Sequence, residues 1–196
     1  MIFKKKQNTY CHQLWDSVFI DDRGDVFICC HAKPEKIGSI YEDDLKTIWT
    51  QSKKLKKLRR KSLKGSLECF SNCNILSQKD KQGKTKYPVY EEYPKQVWLL
   101  YGEFCNINCI FCRQNSRSKG KIDNEILKKH IDWARVESIE LQGGEILAMK
   151  EAKEFYLWLT REMNKKVNLI TNGILINNEW AELLVRGSDW IAISVN

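Results

Sequence analysis

The 196-residue chain lacks the apolar segments that would direct it into or across a membrane. Residues 1–8 contain three lysines and no apolar core of a secretory signal. No run of about 18 apolar residues is present that would span a bilayer. We therefore expect a cytoplasmic protein, in a compartment where thiols stay reduced. Its eight cysteines are then expected to bind metal rather than to form a disulfide framework.

The chain also lacks an evenly spread basic charge. Its formal net charge is +8, but eight Lys or Arg and no acid lie between Lys53 and Lys64, and the remainder holds 25 basic and 25 acidic residues. The segment beginning at Asp43 predicts one amphipathic helix, acidic in its first turn and basic toward its end, which complements the helix dipole. A solvated helix face is the simplest interpretation, and docking of an acidic partner or acidic peptide leader is the alternative. Nucleic acid is a poor candidate because no aromatic residues interleave with the charges.

The first part of the chain is rich in cysteine and contains a predicted β-hairpin. Two β-rich runs, 17–20 and 25–29, flank a polar turn that includes Gly24. We assign residues 1–76 to this module. Residues 77–95, polar and interrupted by glycine and proline, are predicted to form a linker.

The second part, residues 96–196, alternates predicted strands with predicted helices. This order is typical of an α/β fold with right-handed crossovers and a parallel sheet. Ligands bind such sheets at the carboxyl ends of the strands. The predicted strands are 97–101, 138–141, 167–170 and 190–195, and the predicted helices cover 126–134, 149–163 and 179–185.

Three cysteines, Cys105, Cys109 and Cys112, follow the first of these strands on one short loop. Three thiolates are one fewer than a closed tetrahedral zinc site or a fully ligated iron–sulfur cluster would use. A cluster held by this loop would therefore leave one iron open to bind and activate another molecule. Half of a zinc site, or buried small apolar residues, are the alternatives.

The loop, together with Gly143-Gly144-Glu145 after the next strand, resembles the radical S-adenosylmethionine (SAM) enzymes. The resemblance implies a [4Fe–4S] cluster whose open iron binds SAM through its amino and carboxylate groups. One electron, from a reductant such as flavodoxin or ferredoxin, cleaves SAM to methionine and a 5′-deoxyadenosyl radical. That radical then abstracts hydrogen from a substrate.

The resemblance also implies roles for residues at the four strand ends. Three cysteines ligate the cluster, and the Phe111 backbone lies against the adenine of SAM. The two glycines let the backbone approach the methionyl ammonium, and Glu145 adds negative charge near it. The resemblance also implies that Ser194 and Asn196 contact the ribose hydroxyls of SAM, and that Asn172 lies near the same pocket.

The first module resembles a SPASM-type auxiliary cluster domain, because four of its cysteines and a helix with Trp49 follow that pattern. The resemblance implies an auxiliary [4Fe–4S] cluster, although four thiolates would equally suit zinc. Cys30 is a spare that could exchange with Cys29, and His12 or His31 could substitute for a cysteine. The implied ligands are Cys11, Cys29, Cys69 and Cys73.

The chain departs from the family pattern in three ways. The SPASM-like module precedes the barrel instead of following it, and Ile146 stands where proline often follows the Gly-Gly-Glu motif. Residues 96–196 hold four of the six βα units of the family's barrel. We therefore expect a partial barrel and a fragment of a longer enzyme, with completion of the barrel by a second chain as the alternative. Its substrate is expected to be a peptide or protein, as for many SPASM-containing relatives. A non-catalytic interaction module stabilised by zinc or a cluster is the alternative.

Overall fold

A computed structural model describes residues 10–30, 35–67, 69, 73 and 91–195. Residues 77–90 of the predicted linker, His31 and Asn196 lie outside the described residues. None of the helices in the described ranges is long and apolar enough to cross a membrane.

The predicted N-terminal hairpin is confirmed. A short helix, α1 (Gln13–Asp16), leads into β1 (Ser17–Ile20), which pairs antiparallel with β2 (Asp25–Phe27), and β3 (Gly38–Ser39) pairs with β2 in turn. The turn closes at Gly24, whose φ of 76° is a conformation that side chains disfavour.

The predicted basic amphipathic helix is two helices, α2 (Leu45–Gln51) and α3 (Lys53–Leu63), and the prediction of one was wrong. The break occurs at Ser52, which has an extended ψ of 115° and whose hydroxyl accepts from Leu55 N. The same hydroxyl donates to Ile37 O over 2.8 Å. A tertiary contact and a new N-cap therefore interrupt a pattern that is helical throughout in sequence.

One of the eight basic residues is not on the solvated face. Arg59 is buried, its Nε donates to Leu14 O over 2.8 Å, and its guanidinium lies 4.4 Å from the ring centroid of Trp49. Arg59 thus joins α3 to α1 and α2. Lys53, Lys54, Lys56, Lys57, Arg60 and Lys64 are exposed.

The alternating strands and helices of the second part are confirmed. The elements in chain order are β4 (Gln96–Leu100), α4 (Asn124–His130), β5 (Ser138–Gln142), α5 (Lys150–Leu157), β6 (Val167–Thr171), α6 (Asn178–Gly187) and β7 (Ile191–Ile193). A turn of π-helix, Trp158–Glu162, extends α5.

Two boundaries differ from the prediction. Helix α4 ends at His130, because Ile131 has an extended backbone, and a 3-10 turn, Trp133–Arg135, follows. The buried Trp133 indole donates to Leu127 O over 2.9 Å, so the apolar residues that suggested a longer helix pack back against α4. Strand β7 is also shorter than predicted.

The seven strands of the described residues form one sheet in the order β3-β2-β1-β4-β5-β6-β7. Strands β4 to β7 pair in parallel, and β1 pairs parallel with β4, from Ser17 opposite Gln96 to Ile20 opposite Leu99. The cysteine-rich module therefore continues the sheet of the second part. Residues 91–95, the end of the predicted linker, hydrogen-bond to the first module: the Trp49 indole donates to Glu91 O, and Lys95 N donates to Asp16 O.

Candidate active site

The loops that follow β4, β5, β6 and β7 meet at the carboxyl edge of the parallel sheet. They line one cavity of about 200 Å³, as expected for the ligand position of such a sheet. The structure thus brings together residues from all four predicted strand ends. Eight sequence-predicted residues line it: Cys105, Cys109, Phe111, Cys112, Gly143, Gly144, Asn172 and Ser194.

The cysteine loop is closed by its own hydrogen bonds. Cys105 N donates to Ser116 O over 3.0 Å, and Cys112 N donates to Cys109 O over 3.1 Å. Cys105 and Cys109 are partly exposed and Cys112 is exposed. All three thiols are therefore accessible from a single cavity.

No three His, Cys, Asp or Glu side chains within the described ranges converge closely enough to hold one metal ion. In a [4Fe–4S] cluster each cysteine binds a different iron, so the thiols surround the cluster and do not converge on one atom. Three accessible thiols around a cavity fit this donor set.

The two glycines allow the β5 loop to lie directly on the start of the cysteine loop. A Cβ at Gly143 would lie 2.5 Å from Gly102 O, and one at Gly144 would lie 2.2 Å from both Glu103 O and Phe104 O. Backbone hydrogen bonds join the same segments, from Gly144 N to Gly102 O. Close backbone packing therefore demands these glycines, apart from any contact with a ligand.

Glu145 does not line the cavity. It is fully buried, and its carboxylate accepts three hydrogen bonds. Oε1 accepts from Leu147 N over 3.0 Å and from Thr171 Oγ1 over 2.7 Å, while Oε2 accepts from Asn172 N over 2.7 Å. The carboxylate thus joins the β5 loop to the end of β6.

Asn172 extends this connection to the cysteine loop. Its Nδ2 donates to Asn106 Oδ1 over 2.8 Å and lies 4.0 Å from Cys105 Sγ. Its Oδ1 accepts from Ile174 N over 3.0 Å, which fixes the orientation of the amide. Three strand ends are therefore held together by side chains at the cavity.

Phe111 and Ser194 lie at the rim. The Phe111 side chain is 68% exposed, so its ring is free to contact a ligand. Ser194 is held beside β6 because its N donates to Thr171 O over 2.8 Å.

Sequence reasoning did not single out Thr171 or Asn106. Thr171 belongs to the Thr-Asn-Gly strand end that the sequence shows, but its hydrogen bond to Glu145 depends on the neighbouring strand. Asn106 lies between cysteines, and its only sequence signal is that position.

Cys11 of the first module lies near two other cysteines of that module. Cys11 is buried, and burial, with the nearby Cys29 and Cys69, raises the pKa of its thiol to about 12. Its N–H donates to Ser62 Oγ on α3 over 2.9 Å. Iron binding would deprotonate this thiol.

Cys30 has different surroundings. The residue is exposed overall, but its thiol is partly shielded from water, which raises its pKa, and the neighbouring Cys29 raises it further. Cys29 and Cys73 are partly buried.

Cys11 and Cys29 lie at the opposite edge of the sheet from the cysteine loop. Strand β1 runs parallel to β4, and β2 runs antiparallel to β1, so β2 ends at the amino edge of β4. Cys29 follows β2 there, and Cys11 precedes β1 at the same edge, whereas Cys105 follows β4 at the carboxyl edge.

Comparison with known families matches both parts of the chain. Residues 99–196 match the model of the radical SAM superfamily, and residues 11–74 match the SPASM model, an iron–sulfur cluster-binding domain. The chain belongs to the radical SAM superfamily, with a SPASM module before the barrel. Members of this superfamily use a [4Fe–4S] cluster and SAM and generally need a reductant such as flavodoxin or ferredoxin. SPASM domains bind auxiliary iron–sulfur clusters.

Individual relatives are more distant. A probable GTP 3′,8-cyclase of Methanococcus maripaludis is 27% identical over 99 residues, which are 47% of this chain and 33% of the relative. A probable GTP 3′,8-cyclase of Methanocaldococcus jannaschii is 29% identical over 98 residues, with the same shares. The match thus spans about one third of the length of these curated relatives.

Proposed function

We propose that this chain carries the cluster and SAM sites of a radical SAM enzyme. Cys105, Cys109 and Cys112 would hold the [4Fe–4S] cluster. When bound, it would pass one electron from the reductant to SAM, for cleavage to methionine and a 5′-deoxyadenosyl radical that abstracts hydrogen from a substrate. The single observation that carries the proposal is one cavity lined by three cysteines and the Gly-Gly strand end.

The surrounding residues bind and orient SAM. Gly143 and Gly144 bring backbone into the cavity without side chains, so a ligand's ammonium can approach the backbone carbonyls. The exposed Phe111 segment is assigned to the adenine, and Ser194 and Asn196 are assigned to the ribose. Asn172 is assigned to the same pocket, at the end of β6. Glu145 has a buried carboxylate and would affect the ligand only through the residues that it hydrogen-bonds.

The auxiliary [4Fe–4S] cluster is assigned to Cys11, Cys29, Cys69 and Cys73, with zinc as the alternative occupant of these four thiols. Support comes from the common surroundings of Cys11, Cys29 and Cys69. For the compartment we propose the cytoplasm, which keeps thiols reduced, as labile clusters require.

For the substrate we propose a peptide or protein side chain, as the SPASM module suggests. GTP is the second candidate, because the named relatives are probable GTP 3′,8-cyclases. For the reductant we propose an acidic flavodoxin or ferredoxin that docks on the exposed cations of α3. Support for this comes from the run of eight Lys or Arg without an acid between Lys53 and Lys64, of which six are exposed.

Anaerobic reconstitution tests the proposal directly. We expect about eight irons and eight sulfides per chain, from two [4Fe–4S] clusters, and 5′-deoxyadenosine when dithionite and SAM are added. Replacing Cys105, Cys109 and Cys112 by alanine should remove about four irons and all 5′-deoxyadenosine. Tightly bound zinc without labile sulfide would refute the proposal and favour the non-catalytic module.

A further inference from the structure

We infer that Glu145 is a positioning residue that acts through Asn172 on Cys105, and so helps to set the reduction potential of the cluster at the cysteine loop. The inference rests on the proposed function, because it assumes that Cys105 is a cluster ligand. It concerns a buried carboxylate that does not line the cavity.

The first step is the fixing of the β6 end by Glu145. The carboxylate is wholly buried and accepts hydrogen bonds from a side chain and a backbone N–H of that strand end, Thr171 Oγ1 and Asn172 N, each over 2.7 Å. Hydrogen bonds to a charged acceptor are about twice as strong as neutral ones. Thr171 Oγ1 also accepts from Gly173 N over 3.0 Å, so the whole turn follows the carboxylate.

The second step is the orientation of the Asn172 amide. Its Oδ1 is used by Ile174 N, so the Nδ2 group must face the cysteine loop. One N–H of Nδ2 is directed to Asn106 Oδ1 over 2.8 Å. The other is available to Cys105 Sγ at 4.0 Å, the outer limit for a hydrogen bond to sulfur.

The third step is electrostatic. The Cys105 thiol donates to Asn106 Oδ1 over 3.8 Å. As a cluster ligand Cys105 would be a thiolate, which accepts hydrogen bonds and cannot donate, so it would need a neighbouring donor instead. Asn172 Nδ2 is such a donor. Hydrogen bonds to the sulfurs of a cluster disperse its negative charge and stabilise the reduced form, which raises the reduction potential.

Four variants of the full chain test this: Asn172→Ala, Glu145→Gln, the two combined, and Glu154→Gln as control. Glu154 is an exposed carboxylate on α5, with 55% of its side chain accessible. The potential is read from the reduced cluster whose electron paramagnetic resonance signal changes when SAM is added. The expected result is a shift to lower potential in Asn172→Ala and in Glu145→Gln, with little further shift in the double variant and none in the control.

Wild-type potential in either single variant, with iron content retained, would overturn the inference and leave the proposed function intact. Absence of any SAM-responsive cluster in the wild type would instead refute the proposed function.

Amide hydrogen exchange on the apoprotein decides the case in which a variant fails to load iron. In Glu145→Gln the side-chain amide nitrogen would face Asn172 N–H. Two donors cannot form a hydrogen bond, so this N–H should lose protection from exchange. Glu154→Gln should keep the protection at Asn172. Unchanged protection in Glu145→Gln would overturn the inference.

Discussion

Gly144 and Phe104 lie so close that a methyl group on the Gly144 Cα would stand 2.2 Å from the carbonyl oxygen of Phe104. Glu145 N donates to the same oxygen over 2.8 Å. The β5 loop and the start of the cysteine loop therefore form one backbone unit. This unit defines the depth of the cavity.

Gly144→Ala should consequently disturb the site and the fold together. We expect a loss of about 1–3 kcal/mol in the free energy of unfolding, because backbone atoms cannot move aside as a flexible side chain does. Cluster loading should fall with it. Gly120→Ala is the control, since its Cβ would lie 3.3 Å from the nearest side-chain atom, Ser118 Oγ. Equal stability of the two variants in urea would contradict this account.

Ser62 fixes the backbone at Cys11, because its buried Oγ accepts from Cys11 N over 2.9 Å. Ser62→Ala leaves a buried N–H without its acceptor, which costs about 1–3 kcal/mol. We expect lower stability in urea and slower reconstitution of the auxiliary cluster. Ser66→Ala, at an exposed position four residues after Ser62, should leave the stability and the rate of reconstitution unchanged.

Cys29 and Cys30 should differ although they are adjacent. Cys29→Ala should lower the iron content by about four per chain, the loss of one [4Fe–4S] cluster, while Cys30→Ala should keep the wild-type content. The reason is that Cys29 shares the surroundings of Cys11 and Cys69. Iron and sulfide analysis of both variants measures this, and the reverse result would assign the ligand to Cys30.

The basic face of α3 should matter for a protein reductant and not for a chemical one. Replacing Lys53, Lys54, Lys56 and Lys57 by glutamine should slow flavodoxin-driven formation of 5′-deoxyadenosine, and the effect should shrink in high salt because exposed charges are screened. Dithionite-driven formation should not change. Replacing four other exposed lysines, Lys46, Lys129, Lys150 and Lys166, gives a control of equal net charge. The same rates in both variants would remove α3 as the docking surface.

Asp44 should make the stability of the first module depend on pH. As the N-cap of α2 it accepts from Thr47 N over 2.8 Å, and this bond holds the pKa of its carboxyl below the ordinary 3.8. A lowered pKa in the folded state gives a stabilisation that is present above the ordinary value and is lost as pH falls below it. Asp44→Ala should cost about 1 kcal/mol at pH 7 and less below pH 3, as measured by urea unfolding.

Asp43→Ala is the matched control for Asp44. Asp43 is exposed and does not cap the helix, so its replacement should have no such pH dependence. A similar loss in both variants would mean that negative charge ahead of the helix, and not the cap hydrogen bond, stabilises α2.

Much of the site was predictable because its signals are local. The spacing of Cys105, Cys109 and Cys112 lies within eight residues, and Gly143-Gly144 directly follows an apolar strand. Parallel strands bring their carboxyl ends to one edge, so the meeting of these motifs with Asn172 and Ser194 follows from the alternation of strands and helices.

The sequence by itself determined the α/β alternation, the N-terminal hairpin and the cysteine loop, since each depends on neighbours in the chain. Only the tertiary structure decided three other features. Ser52 divides the basic helix because its hydroxyl reaches Ile37 O, and β1 joins the barrel because its backbone pairs with β4. Glu145 turns away from the cavity because its carboxylate bonds to Thr171 and Asn172. Each of these contacts joins residues distant in sequence, and no local pattern encodes such partners.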